Sequence, residues 1–347
     1  MIFARFRSLI ALVVVGGLLA ASFGSASAAP ATHRAHAMTP VRLILKWVTQ
    51  AQFAGYYVAL KKGYYAKEGL DVHIQPAGPN VAPETLVENG GADIGIDWMP
   101  SLLTQRDNGQ NIVNIAQIFQ TTGMRLIAFK SEHLMGPQDF KGKKVGVWFY
   151  GNQYQFFAWM HKLGIDPAKA GFTVYHQQFE MQTFLRHQID VASAMTYNEL
   201  GVVLESGVKL SDLTVWDYGK QGVSMLEDGL FARADYLAKN RDTTVKFLRA
   251  SIRGWQDVLK DPAGAGKIVY DYDTLKAATL AHEIYMAKEV AKLINFGPAI
   301  QKGIGYMDPV AFDRTAQQCV QQAVIKKAPS GAYDQSFWQA AISTLNQ

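Results

Sequence analysis

The sequence predicts an α/β protein of two lobes around a central cleft, and three observations carry that expectation. Short apolar runs of strand length alternate with segments of helical spacing from Val41 to Tyr197, the pattern of parallel sheets covered by helices. A short unit ending in Asp and a β-branched residue occurs twice, as Gly91-Ala92-Asp93-Ile94 and as Gln188-Ile189-Asp190-Val191, once in each half. No low-complexity segment separates the halves, so two crossover strands rather than a loose linker are expected to join them.

The first residues read as an export signal. Arg5 and Arg7 form a basic start, Leu9 to Ala20 is apolar but short for a bilayer span, and Ala26-Ser27-Ala28 has the small-x-small form of a cleavage site. Residues 1–28 are therefore expected to be a signal peptide and 29–40 a disordered lead-in. Their loss takes two arginines and no acids, so the formal charge falls from +5 to 32 − 29 = +3. That balance is too weak and dispersed to imply nucleic-acid binding. The single cysteine, Cys319, excludes an intramolecular disulfide.

The elements follow in order. "VRLILKW" alternates as a half-buried strand, and Phe53, Tyr56, Tyr57 and Leu60 then recur at helical spacing up to a stop at Gly63. "YYAKEGL" starts a short helix ended by Gly69, and "DVHIQPA" is the next strand. A helix is expected over Pro83 to Glu88, a turn at Gly90-Gly91, and a buried strand from Ala92 to Ile96. "NIVNIAQIF" and "RLIAFK" are further strands. The second set comprises the strand "DFKGKKVGVWF", a helix from Gln153 to Leu163, the strand "GFTVYHQ", the helix "MQTFLRHQ" and the strand "IDVASAMTY". Beyond "EDGLFARADYLAKN" the chain turns helical; Val245, Leu248, Ile252, Trp255 and Leu259 share one face, which reads as packing.

Open α/β sheets bind ligands at the carboxyl ends of their strands. The informative positions are thus Trp47, Asp97-Trp98, Phe149-Tyr150-Gly151-Asn152, Tyr197-Asn198-Glu199 and Glu227-Asp228, with Gln50, Gln52, Tyr56, Trp148 and Tyr154 nearby. Strand alternation sets Trp148 and Tyr150 against Phe149, so only some of these rings can face the cleft. Two or three rings suffice to clamp a flat heterocycle, at about 0.5–1.5 kcal/mol per ring pair beyond burial. The strand ends carry amides and carboxylates and no arginine, a set that suits a flat, neutral or cationic, donor-rich ligand rather than an anion. The Gly151-Asn152 turn, heading a helix, is expected to offer backbone N–H groups to the ligand's edge. No histidine has metal-ligand spacing, and no Ser-His-Asp set can be assembled, so neither a metal nor a catalytic residue is predicted.

"LKWVTQAQFAGYYVALKKGYYAKEGLDV", "GGADIGIDW", "FKGKKVGVWFYGNQYQF", "IDVASAMTYNE" and "EDGLFA" resemble the periplasmic solute-binding proteins related to the thiamine-pyrimidine synthases. The resemblance covers the chain from Val41 onward. It implies a type II periplasmic-binding-protein fold, with lobe 1 from 41–127 plus 229–347 and lobe 2 from 128–228. It also implies a periplasmic monomer that delivers its ligand to an ABC permease in the inner membrane. Within that family the residues favour a thiamine-precursor aminopyrimidine, hydroxymethylpyrimidine or formylaminopyrimidine; riboflavin is the first alternative, a sulfonate or taurine a weaker one. The family's enzymatic branch holds pyridoxal phosphate on a lysine where this chain has Asp97, with a histidine near the position of Ser101 and a cysteine-rich crossover. "SMLEDGLFARADYL" has no cysteine. A carboxylate cannot form the required Schiff base, so a cofactor-free binder is expected rather than a synthase.

Overall fold

The computed structural model describes residues 37–78, 81–149 and 151–345. The expected signal peptide, the lead-in up to residue 36, and Tyr150 lie outside the described residues. The rest of the expected lead-in is ordered differently: the first strand begins at Thr39, because residues 39 and 40 pair with Leu70 and Asp71.

Among the described residues, ten strands form two five-stranded sheets. The first contains β1 (Thr39–Ile44), β2 (Leu70–Gln75), β3 (Ile94–Asp97), β4 (Ile112–Gln117) and β10 (Gly229–Arg233), in the order β2-β1-β3-β10-β4. The second contains β5 (Met124–Phe129), β6 (Lys144–Val147), β7 (Thr173–His176), β8 (Val191–Met195) and β9 (Leu213–Asp217), in the order β7-β6-β8-β5-β9. In each sheet three parallel strands come first, and the next is an antiparallel strand, β10 or β5, that arrives from the other half of the chain. This exchange is the two-crossover arrangement of the type II periplasmic-binding fold. The chain passes between the sheets at 118–123 and 218–228. The first passage lies earlier than expected: a boundary after 127 would cut β5, which pairs with β8 and β9 on its two sides.

The repeated Asp unit has one structural role in both sheets. The Arg42 N–H donates to Asp93 Oδ2 (2.8 Å) and the Asp93 N–H to the Arg42 carbonyl (3.0 Å). The Lys144 N–H donates to Asp190 Oδ2 (2.7 Å) and the Asp190 N–H to the Lys144 carbonyl (3.0 Å). Each aspartate thus extends the ladder of its sheet by one side chain just before the central strand begins. Both central strands, β3 and β8, are buried along their whole length, as parallel strands covered on both faces must be.

Helices α1 (Ala54–Lys61), α2 (Tyr64–Lys67), α3 (Pro83–Glu88) and α4 (Met99–Asp107) belong with the first sheet; α5 (Tyr154–Lys162), α6 (Gln182–Leu185) and α7 (Glu199–Glu205) belong with the second. The tail then returns to the first half as α8 (Ala234–Lys239), α9 (Arg241–Lys260), α10 (Pro262–Tyr272), α11 (Leu280–Ile294), α12 (Ala299–Lys302), α13 (Pro309–Gln321) and α14 (Ser336–Ser343). The predicted apolar face of α9 packs inward, with Leu248, Ile252 and Trp255 buried. Its crossing with α1 depends on two glycines. A Cβ on Gly254 would lie 2.0 Å from the Gly55 carbonyl oxygen, and one on Gly55 would lie 2.1 Å from the Trp255 ring. Among the described residues, no helix is long and apolar enough to cross a membrane.

Candidate functional site

A cavity of about 770 Å³ opens at the carboxyl ends of the parallel strands, lined from both halves of the chain. The first sheet contributes residues after β1 and at the end of β3: Lys46, Trp47, Gln50, Gln52, Asp97 and Trp98. The second contributes those after β6 and β8: Trp148, Phe149, Gly151, Asn152, Tyr154, Tyr197, Asn198 and Glu199. A strand must stop before its last residues can turn toward a ligand. β6 stops at Val147, so the alternation expected for Trp148 and Phe149 no longer applies and both rings line the cavity.

Three rings meet across the cleft. Phe179, from the loop after β7, lies 4.4 Å from Trp47 and 5.7 Å from Trp148 between ring centroids, the second pair close to parallel. Tyr197 is buried and packs edge-on against Phe119 at 6.0 Å. Burial raises the Tyr154 phenol, which a hydrogen bond to Thr104 of the opposite half partly offsets. The gap is therefore narrow where rings face each other.

Polar groups fill the spaces between the rings. Gln50 Nε2 donates to Gln52 Oε1 (2.6 Å), and Gln52 Nε2 donates to Asp228 Oδ2 (2.8 Å). The Trp98 indole N–H donates to the other Asp228 oxygen (2.9 Å), so one carboxylate fixes an amide and a ring at once. Asn198 Nδ2 donates to Glu199 Oε1 (2.8 Å), while its Oδ1 meets His282 Nε2 (2.9 Å) of α11. Burial pushes Glu199 up to about 7 and Asp228 up to about 7.

Three expected site residues lie elsewhere. Tyr56 is buried against Trp255 at 5.4 Å, on the inward face of α1, because its helical position points it away from the strand ends. Glu227 is fully buried in the second crossing, where it accepts hydrogen bonds from Thr122, from the Gly123 N–H (2.8 Å) and from Gln155 Nε2 (3.2 Å); it ties the crossings together. Asp228 stands behind the cavity wall rather than on it, holding Gln52 and Trp98. The Gly151-Asn152 turn also differs from expectation. The Gly151 N–H donates to Gln153 Oε1 (2.9 Å) and the Asn152 N–H to the Phe149 carbonyl (3.4 Å), so the turn spends both amides on itself. Gly151, at φ 98°, is in the left-handed region that glycine alone enters freely.

Two lining residues that sequence reasoning missed carry the strongest charge chemistry. Lys46 pairs with Asp97 and lies 5.0 Å from the centroid of the Trp98 ring. Burial opposes its charge, but the attraction and hydrogen bond of Asp97 outweigh this and hold the ammonium above its ordinary value. Glu84, from α3, is buried beside them; burial first, and the charge of Asp97 second, push its carboxyl well above the usual range. Lys46 adjoins Trp47 at a strand end, so position marked it, but its charge was at odds with the acidic cleft expected. Glu84 sits inside a short helix, and nothing in the local pattern marks it. Phe179 likewise follows a strand, β7, whose end was not counted.

Residues 50–265 match the family model described as NMT1/THI5 like. The riboflavin-binding protein RibY of Chloroflexus aurantiacus is 24% identical over 313 residues, covering 87% of this chain and 86% of that protein. A formylaminopyrimidine-binding protein of Halalkalibacterium halodurans is 23% identical over 232 residues, covering 65% and 68%. Among solved structures, one named as a periplasmic sulfonate-binding protein, SsuA, from Methylobacillus flagellatus superposes with a TM-score of 0.65 at 14% identity, covering 89% of this chain and 96% of that one. The last likeness is one of fold.

Proposed function

The chain belongs to the NMT1/THI5-like family, and from that premise we propose that it is the periplasmic solute-binding component of an ABC importer for a planar heterocycle. The observation that carries this reading is the lining of the cleft: rings from both halves, amides and carboxylates between them, one lysine already paired, and no arginine among the described lining residues. An anion such as a sulfonate would find Lys46, the one cation among the described lining residues, already paired with Asp97. A flat ring would stack on Trp47, Trp148 or Tyr154 and meet polar groups around its perimeter.

Of the two heterocycles, size favours riboflavin. Cavities of about 300–1,000 Å³ accommodate multi-ring ligands, and this one lies in the upper half of that range. A single pyrimidine ring would leave most of the space to water, whereas a flavin would carry its hydroxylated chain toward the amides. An aminopyrimidine remains the second reading, because carboxylates accept hydrogen bonds from an exocyclic amine. Closure over the ligand would be a movement of the two lobes about the passages at 118–123 and 218–228.

Synthase chemistry is poorly matched to these residues. The cofactor-bearing lysine of the related enzymes is replaced by Asp97, and Lys46, the lysine that does line the cavity, is held protonated in an ion pair. A Schiff base needs a neutral amine. Thermal-shift screening with riboflavin, hydroxymethylpyrimidine, formylaminopyrimidine, thiamine and taurine tests the assignment. Stabilisation by a heterocycle is expected, and stabilisation by taurine alone would overturn it.

A further inference from the structure

We propose that Lys46 and Asp97 read the ligand's edge as a ring amide, Lys46 donating to a ring carbonyl and Asp97 accepting the neighbouring ring N–H. This assignment rests on the heterocycle-binding reading and narrows it to neutral rings with a carbonyl beside an N–H, the edge that riboflavin presents.

The geometry of the pair is fixed from behind. Asp97 ends the buried strand β3, and its Oδ1 takes both the Lys46 ammonium and the Trp98 backbone N–H (2.6 Å). Both of those donors go to Oδ1, and the Glu84 carboxyl also hydrogen-bonds the Asp97 side chain; of about four lone-pair sites on a carboxylate, one is left for a ligand donor. The Trp98 ring beneath the ammonium is itself held by Asp228. An ammonium has three protons, and Asp97 takes one of them. The side chains of Lys46 and Asp97 are 13% and 5% exposed, so whatever satisfies the protons and lone pairs left over by Asp97, Trp98 and Glu84 comes from the cavity.

The charge of the cluster points the same way. One ammonium and one carboxylate cancel, and burial, with the charge of Asp97 second, pushes the Glu84 carboxyl well above the usual range, toward its neutral form. The wall is therefore neutral in sum, yet it presents a strong donor and a strong acceptor side by side. A cationic amine or a sulfonate would upset that balance, whereas a neutral ring amide matches both groups with charge-assisted hydrogen bonds. The cationic, donor-only ligand that the strand ends alone would allow does not use Lys46.

Calorimetric titration of the whole chain with riboflavin, with riboflavin methylated at the imide nitrogen, and with hydroxymethylpyrimidine tests the assignment. Wild-type protein is expected to prefer riboflavin and to lose about tenfold or more on methylation, the loss of one buried charge-assisted hydrogen bond. The charge-balanced variant Lys46→Met/Asp97→Asn is expected to lose at least as much for riboflavin, with its melting temperature recorded to show that it folds. Equal affinity for riboflavin and its methylated form overturns the edge assignment while leaving the heterocycle reading intact, and so does a preference for the aminopyrimidine. Binding of none of the three rings removes both together. The methylation comparison uses wild-type protein only, so it stands even if the double variant is unstable.

Discussion

The two sheets share a plan up to the last residue of each central strand and part company beyond it. Asp93 and Asp190 make the same pair of bonds to the neighbouring strand, but Asp93 is also held by the Arg42 guanidinium, Nε to Oδ2 at 3.0 Å and an Nη to Oδ1 at 2.7 Å. Asp190 has only Lys143 at 3.5 Å. At the strand ends the first sheet carries charge, Lys46 and Asp97 with Glu84 behind, while the second carries rings and amides, Trp148, Phe149, Asn152 and Asn198. The repeat fixes where a side chain can meet a ligand, and the residues beyond it decide what is met. Rings come from both halves, and the ion pair of Lys46 and Asp97 comes from the first alone.

The largest expected effect tests the rigidity of the first half alone. Gly254→Ala drives a methyl into the Gly55 carbonyl at the α1–α9 crossing, a backbone contact that no side-chain rotation relieves. A loss of about 3 kcal/mol is expected by chemical denaturation, the upper end for overpacking. The paired aspartates come next. Asp93→Ala should cost about 2 kcal/mol and Asp190→Ala about 1 kcal/mol, since only the former leaves a part-buried guanidinium without its carboxylate. Equal costs would mean that the backbone bonds, common to both, account for the whole effect and that Arg42 adds nothing.

Trp47→Ala and Tyr154→Ala probe the face-covering rings from opposite halves. Each is expected to weaken the bound heterocycle about tenfold by calorimetry, close to the stacking contribution of one ring pair. A loss confined to Trp47→Ala would place the ligand against the first sheet only.

Much of this was legible in the sequence because it depends on period and position. Alternation and helical spacing identified eight of the ten strands' neighbourhoods and the long α9, leaving β9 and β10 unread, and the duplicated Asp unit marked both central strands. The rule that ligands sit at strand ends placed Trp47, Asp97, Trp98, Asn152, Tyr197 and Glu199 on one cavity. What escaped depends on distances that no local pattern encodes. Tyr56 shares a helix with other rings, and only the tertiary path of α9 shows that Trp255 covers it. Glu227 and Asp228 are consecutive, yet one faces the crossings and the other the back of Trp98, a difference set by partners more than 70 residues away in sequence. Lys46 was visible as a residue but not as half of an ion pair with a side chain 51 positions on.

The smallest effect concerns protons rather than contacts. Glu199 on the second-sheet rim, Asp228 behind the wall and Glu283 beneath the first half are all pushed up to about 7 by burial. Each has an ordinary value near 4 in the unfolded chain. From about pH 4 to about pH 7 the folded protein therefore binds more protons than the unfolded one, and stability falls as pH rises through this window. The melting temperature should be highest near the acidic end and should level off above pH 7 as far as these groups are concerned. Glu283 shares its carboxylate with the Ala51 N–H (2.6 Å), Asp228 with Gln52 and Trp98, and Glu199 with the Met195 N–H (3.0 Å) and Asn198. Glu199→Gln removes one proton from the count and leaves the other two, so it should shallow the slope between pH 5 and pH 7 without abolishing it. A slope unchanged in Glu199→Gln would mean that the second-sheet rim titrates as exposed carboxylates do, and that the proton-linked part of stability belongs to the first half and the crossings.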